Sequence, residues 1–268
     1  AAEVTVGDSL TVKAGHDLAV VGSSVKAAGD INLNAGNDLL LSATQNSSSE
    51  EYRYKGNGKK LTQEDSSVRQ QAAVIESGAD VSLQAKHDLT LLGSQVRAQG
   101  DVALDAQRDV AVLAAKDEEA SFFYKKNKGS LGRQESQQRE SYDSTNVASV
   151  IEAGRDLTVN SSQMDDGVLS IDGGRDVIVV GSQLQAGHDL LVAGTRDVAI
   201  VSGVEEHGSY SEKSKTGFGG LSKSGQSQLN TRATQVGSEL TAANDGNMDT
   251  PEINEIKPLR RVARPARV

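Results

Sequence analysis

Along the chain, apolar residues recur in short alternating pairs. Leu18 and Val20 are followed by Val25 and Ala27, then by Ile31 and Leu33, and Leu39 with Leu41 opens the next round. Alternation at period two over such short runs marks half-buried β-strands, and no helical periodicity intervenes. The phrase Ala-Gly-x-Asp-apolar-x-apolar keeps time with these pairs. Asp17 and Asp38 are 21 residues apart, as are Asp88 and Asp109, and Asp176 and Asp197; Asp156 and Asp176 are 20 apart. A fixed period of this size signals stacked supersecondary units. Three short strands in about 21 residues predict a three-sided coil whose strands pair with their equivalents one turn on, about 4.8 Å away. The fold class expected is all-β, a right-handed parallel β-helix, its hand taken from the general rule for parallel crossovers.

The same pairs run on through Val81, Leu83, Leu89, Leu91, Val96, Val102, Leu104, Val110 and Val112. They return at Leu157, Val159, Leu169, Ile171, Val177, Val179, Leu184, Leu190, Val192, Val198 and Ile200. About seven coils predict a rod of roughly 30–35 Å. Three polar excursions, at about 46–73, 116–147 and 204–235, interrupt the 1–243 coil region. In the first, Asn57-Gly58 between polar alternating arms is a strong hairpin signal, and alternation puts Tyr52 and Tyr54 on one face. All eight aromatics of the chain lie in the excursions. They serve either as cross-strand packing on long hairpins or as a contact surface for a receptor or glycan. The second reading names Tyr52, Tyr54, Phe122, Phe123, Tyr124, Tyr210 and Phe218. Residues 244–268 hold all three prolines and Arg260, Arg261, Arg264 and Arg267. This basic stretch is expected to be a solvated, disordered tail.

The corners carry their own chemistry. Gly15, Gly36, Gly154, Gly174 and Gly187 stand two positions before the repeated Asp, where a left-handed turn residue is expected. The Asp carboxylate is expected to accept backbone N–H groups in a local Asx-type turn. His16, His87 and His188 share the slot before the Asp with Asn37, Arg108, Arg155, Arg175 and Arg196. A slot that accepts His, Asn and Arg is a solvated corner, not a metal ligand or general base, and His207 stands alone. No catalytic, cofactor or metal residue is assigned. The acids recur in equivalent slots, whereas a saccharide-cleaving β-helix needs an asymmetric carboxylate cluster in an aromatic-lined groove. The Gly-Gly-x-Gly-x-Asp calcium nonapeptide and a phosphate loop are both missing.

Composition sharpens this picture. Aromatics make up 3% of the 268 residues and Trp is missing, which suits the narrow aliphatic core of a solenoid. The net charge of −9 argues against a nucleic-acid partner. The lack of cysteine excludes disulfides and thiolate chemistry and suits passage through an oxidising compartment. The sequence opens in mid-repeat, as part of a longer protein would.

The Ala-Gly-x-Asp-Leu-x-Leu phrase, the 20–21-residue period and the acid-flanked Lys/Gly/Ser-rich excursions together resemble the haemagglutinin repeats of large bacterial exoproteins. These are filamentous haemagglutinin and the exoproteins of contact-dependent growth inhibition, and the resemblance spans about 1–243. It implies export by two-partner secretion through an outer-membrane transporter and display at the bacterial surface as a β-helical filament. The role implied is adhesion, or carriage of a toxin to neighbouring bacteria, with a cell-surface receptor or the target cell's outer membrane as partner. A translocation module acting at the target outer membrane and a carbohydrate-active β-helix enzyme are the alternatives.

Overall fold

The computed structural model describes residues 1–155, 157–160, 164–165, 168–169, 175–244 and 246–249, with the backbone alone for 157–169 and 246–249. Asp156, Ile171, Gly174 and residues 250–268, including the three prolines and four arginines of the expected tail, lie outside the described residues. The side chains of Leu157, Val159 and Leu169 lie outside them too.

The coil strands close into three parallel sheets of seven, seven and six strands. One turn supplies one strand to each: Ser24–Ala27, Ile31–Ala35 and Leu39–Ser42. Partners one turn apart are equivalent residues, so Ile31 stands beside Val81, Leu39 beside Leu89, and Leu91 beside Val112. The alternating pairs thereby become unbroken inward ladders. Ile31, Leu41, Leu83, Leu91, Val112 and Ile151 are all fully or almost fully buried, and they belong to one continuous aliphatic cluster. Leu18, Val20, Val198, Ile200 and Leu240, in the outermost coils, are covered on one side only and remain partly buried. A last strand, Gly246–Asp249, joins the second sheet within the stretch expected as tail.

Two of the corners differ from expectation. Gly15, Gly36, Gly154 and Gly187 do not adopt positive φ. At Gly36, Gly154 and Gly187 the neighbouring coil lies too close for a side chain, whereas Gly15, in an end coil, has open space around it. A Cβ at Gly36 would lie 2.4 Å from the Gly15 carbonyl oxygen, and one at Gly154 would lie 2.2 Å from that of Gln99. The backbone hydrogen bonds accepted by Asp17, Asp38 and Asp109 run along the rod and not into a local turn: Asp17 Oδ1 accepts the N–H of Asp38 at 3.2 Å, Asp38 that of Asp88 at 3.2 Å, and Asp109 that of Asp176 at 3.0 Å. A second ladder joins Asp30, Asp80 and Asp101 in the same way. The preceding slot relieves the repulsion of stacked carboxylates. Arg108 Nε donates to Asp88 at 2.7 Å and sits 3.5 Å from Asp109, while Arg155 bridges Asp80 and Asp101 at 2.8 and 3.2 Å. The corner is solvated, as expected, but its arginines clamp successive coils. Asn37 likewise donates to Asp17 at 2.8 Å.

Left-handed glycines occur at the third corner instead, in coils that turn directly. Gly22, Gly93 and Gly181 have φ of 51°, 55° and 53°, each followed by a serine. Ser94, with 0% exposure, donates to the Leu41 carbonyl at 2.9 Å, and Ser149 to that of Leu113 at 2.7 Å. In the remaining coils this corner opens into a hairpin. Coils with and without a hairpin alternate: a bare turn at Gly22, a hairpin after Ser42, a bare turn at Gly93, a hairpin after Leu113, a bare turn at Gly181, and a hairpin after Val201.

Candidate interaction surface

The three hairpins are built from strands Thr44–Gly56 and Lys59–Gln71, Ala115–Lys128 and Gln134–Val147, and Gly203–Thr216 and Lys223–Val236. They do not stand apart. Lys59–Gln71 pairs antiparallel with Ala115–Lys128, and Gln134–Val147 with Gly203–Thr216, giving one six-stranded sheet beside the rod. The reason is metric. Two coils advance the rod by two strand spacings, about 9.6 Å, and a hairpin in every second coil supplies two strands of the same total width. The roots are fastened to the bare corners: Asn146 Nδ2 donates to the Gly181 carbonyl at 2.9 Å, and its N–H donates to Glu205 at 3.0 Å.

Directly opposed residues share a face, so register sorts the aromatics. One face carries Phe122, between Glu64 and Glu140 in register, with Tyr210 beyond Glu140 and Leu229 beyond that. Tyr124 and Tyr142 lie on this face too, two residues either side of that row in register. Small residues of the neighbouring row, Ser66, Ala120 and Gly208, floor an open groove of about 660 Å³ walled by Phe122, Tyr142, Tyr210 and Leu229. The groove is acidic. The Tyr210 hydroxyl donates to Glu212 at 2.7 Å and the Tyr142 hydroxyl to Glu118 at 3.3 Å. Glu212 holds the Tyr210 phenol above its usual range, chiefly through that hydrogen bond, and burial followed by nearby carboxylates does the same for Tyr142. Gln138 donates to Glu140 at 2.6 Å.

The opposite face carries Tyr52, Tyr54 and Phe123, with Tyr52 and Tyr54 exposed. Near the roots it holds the pair His207–Asp143 at 2.7 Å and the bridge from Arg69 to Asp117 and Glu119. Phe218 belongs to neither face and sits exposed at a hairpin apex. The seven residues expected as one contact surface are thus divided between two faces and a tip.

The first tip was legible through Asn57-Gly58, the other two only as Lys/Gly/Ser-rich sequence. Residues 55–60, 125–133 and 213–223 contain ten Lys and Arg and no Asp or Glu. Asn57 and Gly58, with φ of 49° and 74°, form the two-residue turn of the first hairpin, and the Gly58 carbonyl accepts the Lys128 N–H at 2.7 Å. The other two apices are single 3₁₀ turns, Ser130–Gly132 and Phe218–Gly220, that touch one another. Among the described residues no group of three or more His, Asp or Glu could hold a metal ion.

The comparisons agree with this architecture. The family model for the hemagglutinin repeat matches residues 1–57, 54–132 and 129–252. A tRNA nuclease CdiA of Escherichia coli (strain STEC_O31) is 30% identical over 220 residues, covering 75% of this chain and 6% of the relative. A deoxyribonuclease CdiA of Dickeya dadantii is 28% identical over 236 residues, 82% of this chain and 7% of the relative. A tRNA nuclease CdiA-2 of Burkholderia pseudomallei is 27% identical over 265 residues, 91% of this chain and 8% of the relative. The chain therefore spans less than a tenth of the length of these relatives. No solved structure matches it. With coils, corners and hairpins all falling inside the matched repeats, this chain belongs to the hemagglutinin-repeat family.

Proposed function

We propose that this chain is a segment of the β-helical rod of a secreted bacterial exoprotein, displayed at the cell surface after export through a two-partner outer-membrane transporter. The rod acts as a spacer, and the hairpin sheet is the surface through which it meets its partner in adhesion or in contact-dependent toxin delivery. One observation carries this reading: polar hairpins from alternate coils assemble into a continuous two-faced sheet, and these hairpins hold every aromatic of the chain, seven on the sheet and Phe218 at an apex, while the rod holds none. A spacer alone needs no such sheet.

The segment acts by binding and not by catalysis. The corner aspartates form two equivalent ladders, in which Asp17, Asp30, Asp38, Asp80 and Asp109 each accept a backbone N–H from the next coil. The nuclease names of the relatives describe proteins of which this chain matches 6–8%.

The bare Gly-Ser corner supplies the control. Hairpins 44–71, 115–147 and 203–236 are each replaced by Gly-Ser, and binding of the purified chain to whole bacterial and host cells is compared. Loss of binding with the β-sheet circular dichroism of the rod retained supports the proposal. Equal binding by a chain stripped of all three hairpins overturns it.

A further inference from the structure

We propose that the distal edge of the hairpin sheet docks on a bilayer surface carrying anionic phosphate headgroups; this deepens, and rests on, the reading of the hairpin sheet as a contact surface. The chain is acidic overall, with net charge −9, yet the three tip segments carry ten cations and no anion. All ten except Lys126, which is half-buried, are exposed. Among the described residues one of the ten forms an ion pair, Lys215 with Glu135 at 3.3 Å. In the second and third hairpins Asp117, Glu118, Glu119, Asp143, Glu205 and Glu206 lie near the roots, whereas Glu135, opposite Lys215 in register, and Glu212 border the tips; the acids of the first hairpin, Glu50, Glu51, Glu64 and Asp65, lie midway along it.

Register makes the point sharper. Lys55 stands directly opposite Lys60, and Lys60 directly opposite Lys126, on neighbouring strands of one face. Like charges in directly opposed positions destabilise a sheet. An anion placed against the row would relieve that repulsion; among the described residues Lys60 forms no ion pair and lies over the face of Tyr124 at 5.5 Å.

The same edge is apolar at its apices. Leu131, Phe218 and Leu221 are 66%, 53% and 87% exposed. Leu131 is held at φ 59°, a left-handed conformation costly for a bulky side chain; its counterpart in the third hairpin is Gly219, at φ 60°. A leucine kept exposed, where glycine fits without strain, points to a use outside the fold. Basic side chains around apolar apices match the headgroup and acyl boundary of an anionic bilayer. A soluble polyanion would engage the lysines and leave the three apolar residues idle. Because hairpins follow one another at about 9.6 Å along the rod, their tips form a line, and the rod lies parallel to the surface it touches.

The test is flotation of the full chain with vesicles of phosphatidylcholine containing phosphatidylglycerol, against phosphatidylcholine alone. Binding to the anionic vesicles only is expected. Lys55→Gln/Lys60→Gln/Lys126→Gln should weaken it about a hundredfold, at about fivefold per lysine, without loss of stability, because it removes like-charge contacts. Leu131→Gly/Phe218→Ser/Leu221→Ser should make the residual binding far more sensitive to salt, and Leu131→Gly alone should fold at least as well as the parent. The proposal is overturned if the chain ignores anionic vesicles. It is overturned equally if the lysine variant binds undiminished, or if the chain prefers soluble heparin or DNA and the apolar variant binds vesicles as the parent does. Failure on vesicles while hairpin replacement still abolishes cell binding would remove the lipid and leave the contact surface standing. Vesicle binding with cell attachment indifferent to the hairpins would do the reverse.

Discussion

The rod and the hairpin sheet are both stacks of β-strands at one spacing, but they are held together by different forces. The rod is parallel and one-sided, with inward ladders of Leu, Ile and Val at or near zero exposure. Its stability is the sum of neighbouring coil interfaces, each dominated by apolar burial. The hairpin sheet is antiparallel and wet on both faces. Strands such as Thr44–Gly56 are exposed almost throughout, and cross-strand pairs such as Ser121–Ser141, with hydroxyls 2.7 Å apart, replace a core. A sheet so polar gains little from its own sequence. Its register is imposed by the rod, which delivers a hairpin at every second coil. Pattern thus dictates the first region, and geometry inherited from the first dictates the second.

Substitutions can separate the two. The largest effect belongs to the rod: Leu91→Ala opens a cavity against Leu41 and Val112 and should cost about 2–5 kcal/mol in urea unfolding, with the hairpins lost alongside. Gly154→Ala tests the close stacking of coils. Its methyl meets the Gln99 carbonyl, a backbone group that cannot swing away, and overpacking of this kind costs about 1–3 kcal/mol. In the hairpin sheet Phe122→Ala should cost only about 1–2 kcal/mol, since the ring is part-buried and not enclosed in a core. A loss as large as that of Leu91 would show that the sheet has a core of its own.

The smallest effects are electrostatic. Asp17 is held below the ordinary carboxylate range, first by the Asn37 amide, and Asp80 first by the Asp101 N–H. Their stabilisation is complete above about pH 4 and is lost as pH falls through their depressed values. Asp105 has the opposite sign, because burial raises it. The folded state is penalised while Asp105 is ionised and relieved as pH falls through its raised value. Melting temperature followed against pH should therefore show Asp80→Asn below the parent at neutral pH and converging with it in acid. Asp105→Asn should lie above the parent at neutral pH and converge likewise.

How far the sequence carried follows the same division. Period-two pairs recurring every 21 residues located the inward ladders, because burial of one face leaves its mark on every strand. The hairpins were visible one at a time, through Asn57-Gly58 and the loss of apolar periodicity. Their union was not, since strands wet on both faces carry no alternation to reveal a partner. The readable signal was the alternation of Gly22-Ser23, Gly93-Ser94 and Gly181-Ser182 with the three excursions. The corner glycines were located correctly but for the wrong cause. A repeated Gly looks the same whether it serves φ or close approach, and only the 2.4 Å separation at Gly36 decides between them. The contact residues fared least well: alternation put Phe122 and Phe123 on opposite faces, and composition alone had grouped them.

Alternate-coil spacing also constrains how such a protein can change its length. Gain or loss of a single coil between two hairpins shifts one of them by half a period, leaving a slot in the sheet with no strand to fill it. Pairs of coils that carry their hairpin preserve the match. The unit of inheritance here is therefore an even number of coils, and a lineage that duplicates or deletes these repeats must conserve parity as a gene conserves its reading frame.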